Sequence, residues 1–439
     1  MSPAPSPDGA ATVDAQSAAA WFVIDPHALR AVGLSFAYFF CVLCSYYIIR
    51  PLREEMGVTV GADGLERIFW IVLGVMLLAV PLFGWLVSTF PKHYVAPVVH
   101  AFFIIALSLF SLLLSASKDS IFLASAFFVL ASVFNLFVVS MFWIVMADLW
   151  STGDAKRYYG YIAAGGSAGA FCGPLITQSI VHKTGAANLL FISAAFLAAG
   201  IGCMMALRRE LGQGGRSDDS KSAGDSILSG ARNVFQSPYL LQIAFWVLIT
   251  NLISTFFYFE QARIVKAMVA AQADRVQLFA RMDLTVSILT ILGQVFVTGA
   301  AMRRLPVGVC IAALPLSATL GLLALSVAPT LAVIVVVIIA ERAIGFAISN
   351  PAARVLYTVV DPEDKYKAQN FIDTVVFRAG DAASGWLFNS MARAAGLATP
   401  AVALLTVPFA IAWIALSLRL GRDQETRAAK VSTTVSPPG

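Results

Sequence analysis

The chain has 439 residues, of which 59% are hydrophobic and only 13% charged, so it carries far more apolar surface than a water-soluble core can hide. Lipid must be its main solvent, and the formal charge of +5, scattered over short connections between apolar runs, fits membrane topology and argues against a nucleic-acid partner. All five cysteines (Cys41, Cys44, Cys172, Cys203, Cys310) lie inside apolar runs, where a thiol acts as a small hydrophobe, so no disulfide framework is expected.

In chain order, residues 1–28 are rich in Ala, Ser and Pro, and the first twenty hold no Lys or Arg, so they lack the basic region of a signal peptide and read as a disordered cytoplasmic tail. A spanning helix needs about 20 mostly apolar residues. Runs of that length occur near 29–49, 67–89, 95–115, 121–146, 158–181 and 187–207, which make an N-terminal half of six spans over 29–207. The stretch 208–238 opens with RRELGQGGRSDDSKSAGDS, which is charged, rich in Gly and Ser and too hydrophilic to insert, and so reads as a cytoplasmic linker. Six more runs near 239–259, 283–302, 307–327, 330–350, 370–391 and 399–418 make a C-terminal half over 239–418, and 419–439 reads as a second cytoplasmic tail. The expected fold is an all-α membrane protein with twelve transmembrane helices in two pseudo-symmetric six-helix bundles.

With the N-terminus placed inside, eighteen Lys and Arg residues fall on inner connections and tails and ten on outer ends, which favours two cytoplasmic termini in a cell inner membrane. The halves also echo one another at a spacing of about 210 residues, as transporters built from repeats around a midplane site do. Arg53 and Arg263 each follow an aromatic-rich span, 210 residues apart, while Lys156 and Gly169 precede Lys367 and Gly380 by 211.

Charges inside a bilayer are costly and default to functional hypotheses. The first span ends in IIRPLREEMG, where Pro51 is expected to kink or fray the helix beside Arg50, Arg53, Glu54 and Glu55. The seventh ends in FYFEQARIVK with Glu260 and Arg263, and the eleventh holds Asp373, Arg378 and Asp381. Pairs three or four residues apart can simply be intrahelical ion pairs. The functional reading is a cavity in which Arg53, Arg263, Arg378 and Arg50 meet a small anionic substrate, since guanidinium forks suit phosphate and carboxylate. Asp381, Asp373 and Glu260 are then candidates for coupling to protons or other cations. Asp148, Lys156, Arg157 and Lys367, near the inner ends of spans four, five and eleven, are candidates for bridges between halves or ordinary solvated loop charges. Glu341 and Arg342 are adjacent in the tenth span and should diverge by about 100°, one of them toward the eleventh.

The fifth span reads YYGYIAAGGSAGAFCGPLIT, and Gly165, Gly169 and Gly173 fall on one face, where a neighbouring backbone can approach closely beside Pro174. With Gly160, this set resembles the G-x8-G-x3-G-P pattern of major facilitator antiporters, with Thr177 in place of the pattern's last glycine. Three further segments, YYIIRPLRE (46–54), FWIVMADLWSTGDAKRYYG (142–160) and DPEDKYKAQNFIDTVVFRAGDAASG (361–385), resemble the nucleotide transporter family, the ATP/ADP translocases of intracellular bacteria and plastids. That resemblance implies a major-facilitator-like exchanger of nucleotides, with Arg53 on the family's substrate-binding lysine. The chain departs from the pattern at Asp381 and Gln369, where the family carries lysines, so a divergent member with an altered substrate is implied. The competing class is proton-coupled export of drugs or small metabolites. No P-loop, H-E-x-x-H or G-x-S-x-G motif occurs, and the four histidines do not cluster, so neither an enzyme, a metal site nor a cofactor is expected, and the protein is read as a monomer.

Overall fold

An apolar run in lipid must satisfy every backbone N–H and C=O within itself, and helix is the form that does so. The computed structural model describes residues 28–117, 120–212, 223–395 and 399–435, so the predicted tail 1–28 lies almost wholly outside the described residues. The first six helices are α1 (Leu29–Val60), α2 (Ala62–Thr89), α3 (Lys92–Ala116), α4 (Ile121–Leu149), α5 (Thr152–Thr184) and α6 (Leu189–Leu211). After a short α7 (Ala223–Gln236) come α8 (Pro238–Met268), α9 (Gln272–Arg304), α10 (Val307–Val327), α11 (Leu331–Val359), α12 (residues 362–395) and α13 (Thr399–Val435). Ser120, Ser151, Ser237 and Thr330 cap α4, α5, α8 and α11 by accepting a backbone N–H three residues on. Gly61, at φ +82°, makes the one-residue corner between α1 and α2.

Among the described residues, ten helices are long and apolar enough to cross a membrane. The other two predicted spans, α5 and α12, are as long but more polar, and both pack among the ten. Large apolar side chains such as Leu78, Phe102, Phe122, Phe296 and Leu320 point outward, as a lipid-facing surface requires. One buried cluster joins α1, α3, α4, α5 and α6. A second joins α8, α10, α11, α12 and α13, and it also takes in Leu65, Ile68, Val72 and Met76 of α2. The chain's two parts therefore interlock, with α2 lying on α12 and α9 lying on α5 and α1.

Two expectations change, and the linker gains a helix. The first helix does not fray at Pro51 but runs on to Val60, because a proline removes only one N–H and a packed helix tolerates the loss. Within the linker α7 forms and packs on residues 362–371. The last helix does not stop at 418 but continues to Val435 through Arg, Gln, Glu, Ala and Lys, all good helix formers. Its Gly421 abuts Gly308 of α10 so closely that a Cβ at 421 would strike the Gly308 backbone. Three π turns, Gly293–Thr298, Gly345–Ser349 and Ile372–Val376, interrupt α9, α11 and α12. Such turns shift the face a helix presents.

The α1–α5 crossing depends on the glycines. A Cβ on Gly165 would meet the Phe36 carbonyl, one on Gly169 would stand 2.5 Å from the Phe40 carbonyl oxygen, and one on Gly173 would stand 2.7 Å from Tyr47 Cβ. Thr177 continues the seam by donating to the Ile48 carbonyl at 3.3 Å. Gly160 has open space around it. Gly169→Val should therefore lower the unfolding free energy by about 1–3 kcal/mol or more, as overpacking does, while Gly160→Ala should cost nothing. Thermal unfolding of the two purified variants in detergent checks this, and equal melting temperatures would refute it.

Candidate functional site

A cavity of about 430 Å³ opens between α1, α8, α9, α11 and α12, and four arginines reach it: Arg50 and Arg53 from α1, Arg342 from α11 and Arg378 from α12. Four carboxylates line it as well, Glu54, Asp283, Glu341 and Asp381, so its formal charge is balanced. The pairing is uneven. Asp283 Oδ1 accepts from Arg50 Nη1 at 2.8 Å and from Arg342 Nη1 at 2.7 Å, and its side chain is 2% exposed. Arg53 lies 3.6 Å from Glu54 and 4.4 Å above the Phe128 ring, and Arg378 lies 3.5 Å from Asp381 one turn along the same helix. Glu341 accepts from Ser254 of α8 at 2.6 Å.

Buried charge is tolerable only when its hydrogen-bonding atoms are met. Several here are not: among the described residues, Asp283 Oδ2, Glu54 Oε2, Tyr258 Oη and the Nε atoms of Arg53 and Arg342 are buried without a hydrogen-bond partner. The residues that carry these unmet donors and acceptors line one space, which marks it as a place where a polar molecule fits. A second recess of about 470 Å³ shares Arg342, Phe346 and Asn350 with the first and lies against Ser167 and Ala170 of α5.

Of the predicted substrate and coupling residues, the structure brings Arg50, Arg53, Arg378 and Asp381 to the cavity and leaves the others elsewhere. Arg263 lines a different recess, with Lys266 and Asn389 beside the α1–α2 corner. Its guanidinium lies 3.2 Å from Glu260 and 5.5 Å over the Phe388 ring, and Glu260 also accepts from Thr399 at 2.6 Å. Asp373 pairs with Arg354 at 2.7 Å in an exposed position. Asp148 sits near the end of α4, Arg157 stacks 5.3 Å from the Tyr158 ring, and Lys367 lies under Gly230 of α7. Lys156 is on α5, but its side chain falls outside what the structure describes.

Asp283 and Tyr258 were not among the predicted residues. Asp283 stands at the edge of an apolar run, where an acid reads as the boundary of a span; the structure instead starts the helix at Gln272, a full three turns earlier. Glu341 and Arg342 do diverge, but toward Ser254 of α8 and Asp283 of α9 rather than toward α12.

At the end of the bundle away from the chain termini, α1 and α2 are tied to α8, α9 and α12. Arg275 of α9 grips the fully buried Glu55 carboxylate through Nη2 at 2.8 Å and Nε at 3.2 Å, and its Nη1 donates to the carbonyls of Val269 and Ala270. Gln272 and Thr59 donate to the same carboxylate at 3.0 and 2.7 Å. Lys266 donates to the Thr59 carbonyl at 3.2 Å, and Asn389 to Glu66 at 2.7 Å. These contacts form a polar latch at that end of the bundle.

Residues 29–385 match the family model of the Major Facilitator Superfamily. The chain is similar to ADP,ATP carrier protein 2 of Chlamydia pneumoniae, at 22% identity, with 91% of this chain and 89% of that protein covered. Among solved structures, a bacterial homologue of the iron transporter ferroportin in an inward-facing state superposes with a TM-score of 0.64 at 11% identity, covering 91% of this chain and all of that one. A peptide transporter in complex with sulfate superposes at 0.62 with 14% identity, covering 90% and 95%. The superpositions show a shared fold, and the family match makes the chain a transporter rather than an enzyme. On its match over most of its length, the chain belongs to the Major Facilitator Superfamily.

Proposed function

We propose that the protein is a secondary active transporter that moves a small anionic metabolite, nucleotide-like or phosphorylated, by exchange or ion coupling. The observation that carries this reading is the set of four guanidinium groups from three helices turned toward one cavity. Arginine forks bind carboxylate and phosphate in pairs, and in a cavity partly shielded from water each such contact is strong. Similarity to an ADP,ATP carrier adds support for a nucleotide-like substrate. In this reading the twelve long helices are twelve spans in two pseudo-symmetric bundles of six, set in an inner membrane with both termini cytoplasmic. The latched end then faces outward, and the molecule is drawn in its inward-facing state. Alternating access exchanges that latch for contacts at the opposite end, with Asp148, Lys156, Arg157 and Lys367 the gating candidates there.

Proton-coupled export of drugs or other small metabolites is the second reading. It is favoured by the four carboxylates that balance the arginines, and by Asp381, which places an acid where the related translocases carry a lysine. Counterflow that persists with an uncoupler supports exchange, whereas collapse of uptake supports proton coupling.

Two measurements test the reading. In proteoliposomes, Arg53→Ala and Arg378→Ala should each slow uptake about ten- to hundredfold, the equivalent of one lost charge-assisted hydrogen bond. Asp381→Asn should impair coupling, and wild-type rates in all three variants would sink the proposal. At the latch, Arg275→Ala strands a buried carboxylate, which should cost the closed end about 3–5 kcal/mol. Labelling of a Thr59→Cys reporter by an impermeant maleimide should rise in that background, and the added change Glu55→Gln should restore thermal stability in part. Unchanged labelling would mean that the latch does not hold this end shut.

A further inference from the structure

We infer that Asp283 is the protein's internal substitute for substrate: it occupies the Arg50 and Arg342 guanidiniums when the cavity is empty, and it takes up a proton when an incoming anion replaces it. This rests on the proposed anion-transport reading and adds the residue that couples anion to proton.

The geometry supports it in three ways. A single oxygen, Asp283 Oδ1, holds both arginines, at 2.8 and 2.7 Å, while its other oxygen is buried without a hydrogen-bond partner among the described residues. A carboxylate bound this way leaves donors on both forks unused, and Arg342 Nε is itself buried without a partner. A phosphate or carboxylate presenting two or three oxygens can engage the same pair more fully. Second, the cavity holds as many carboxylates as arginines, so an anion cannot enter without leaving an acid uncompensated. A carboxylate stripped of both cations inside the protein neutralises by taking a proton from water in the cavity onto its free oxygen rather than staying charged. Third, Arg50 belongs to α1 and Asp283 to α9, so this ion pair ties two helices from different parts of the chain where α9 packs on α1. Releasing it removes one of the two ion pairs between these helices among the described residues, the other being Glu55 with Arg275.

The charged and titratable groups around Asp283 are these. From α1 it meets Arg50, with Tyr47 and Glu54 beside that guanidinium, and from α11 it meets Arg342, with Glu341 turned away to Ser254. Across the cavity stand Tyr258 of α8 and Arg378 and Asp381 of α12. On its other side α9 meets α5 through His182 with Asp274, and through Gln277 and Ser287, which donate to backbone carbonyls. Of the four cavity carboxylates, Asp283 alone is gripped by two arginines in the described structure.

Binding of ADP and of glucose 6-phosphate to the purified full-length protein, followed by calorimetry between about pH 6 and about pH 8, tests the assignment. Wild-type affinity should fall with rising pH about tenfold per unit more steeply than that of Asp283→Asn, the probe's own titration being common to both. Asp283→Asn should bind at least as tightly as wild type, and Asp283→Glu should restore the slope. The wild type alone provides a second readout: with a pH-sensitive dye near pH 8, where the phosphates are already ionised, about one proton should be taken up per ADP bound. Binding without proton uptake, or equal slopes in wild type and Asp283→Asn, overturns the role of Asp283 while leaving anion transport standing. Failure of the wild type to bind either probe overturns the anion reading itself, and the coupling role with it.

Discussion

Everything in the middle of this bundle depends on the cost of putting a guanidinium where water is scarce. An unpaired ion in a protein interior costs several kcal/mol, so each buried arginine dictates where an acid must be. Arg50 and Arg342 converge on Asp283, and Arg275 converges on Glu55, each pairing drawn from different helices. Those two carboxylates, 2% and 0% exposed at the side chain, act as fixed points about which α1, α9 and α11 are set. Hydrophobic packing alone would let these helices slide or rotate at little cost, since lipid and helix interior are equally apolar. The ion pairs set the register.

Packing then decides how close the helices bearing those charges can come. The glycine face of α5 lets the α1 backbone lie against it from Phe36 to Tyr47, which sets the face of α1 that carries Arg50 and Arg53. The π turns act on the partner side. At Gly345–Ser349 and Gly293–Thr298 the α11 and α9 helices touch, with Thr298 donating to the Ala347 carbonyl at 2.5 Å. In α12 the turn at Ile372–Val376 separates Asp373, which looks outward to Arg354, from Arg378 and Asp381, which look inward.

Much of this was legible from residue order, because a membrane helix announces itself by length and hydropathy and an intramembrane charge by its rarity. Arg50, Arg53, Arg378 and Asp381 stood out on those grounds and do share a cavity. What residue order does not contain is rotation about the helix axis. Arg263 lies 210 residues after Arg53, yet it turns to Glu260 and Phe388 in a separate recess. Asp283 was hidden for a different reason: it marks the polar edge of an apolar run, and only the fold shows three more turns of helix before it. The C-terminal extension was missed because hydropathy reports where a span ends, not where helical backbone ends.

The spacing of about 210 residues makes the remaining asymmetry informative. Ser167 and Ala170 of α5 stand 211 residues before Arg378 and Asp381 of α12, and they line the recess that adjoins the cavity. Positions at the same offset thus line two adjoining recesses, one pair neutral and the other charged. The cavity's charges are likewise uneven, with Arg50, Arg53 and Glu54 on one side and Arg342, Arg378, Asp283, Glu341 and Asp381 on the other. An anion entering a space whose own charges already cancel leaves its charge unmet unless a carboxylate gives way, and that penalty grows with each added charge. Displacing one carboxylate and neutralising it offsets one negative charge of whatever enters, so the acids of the cavity, and not its arginines alone, decide what it can hold.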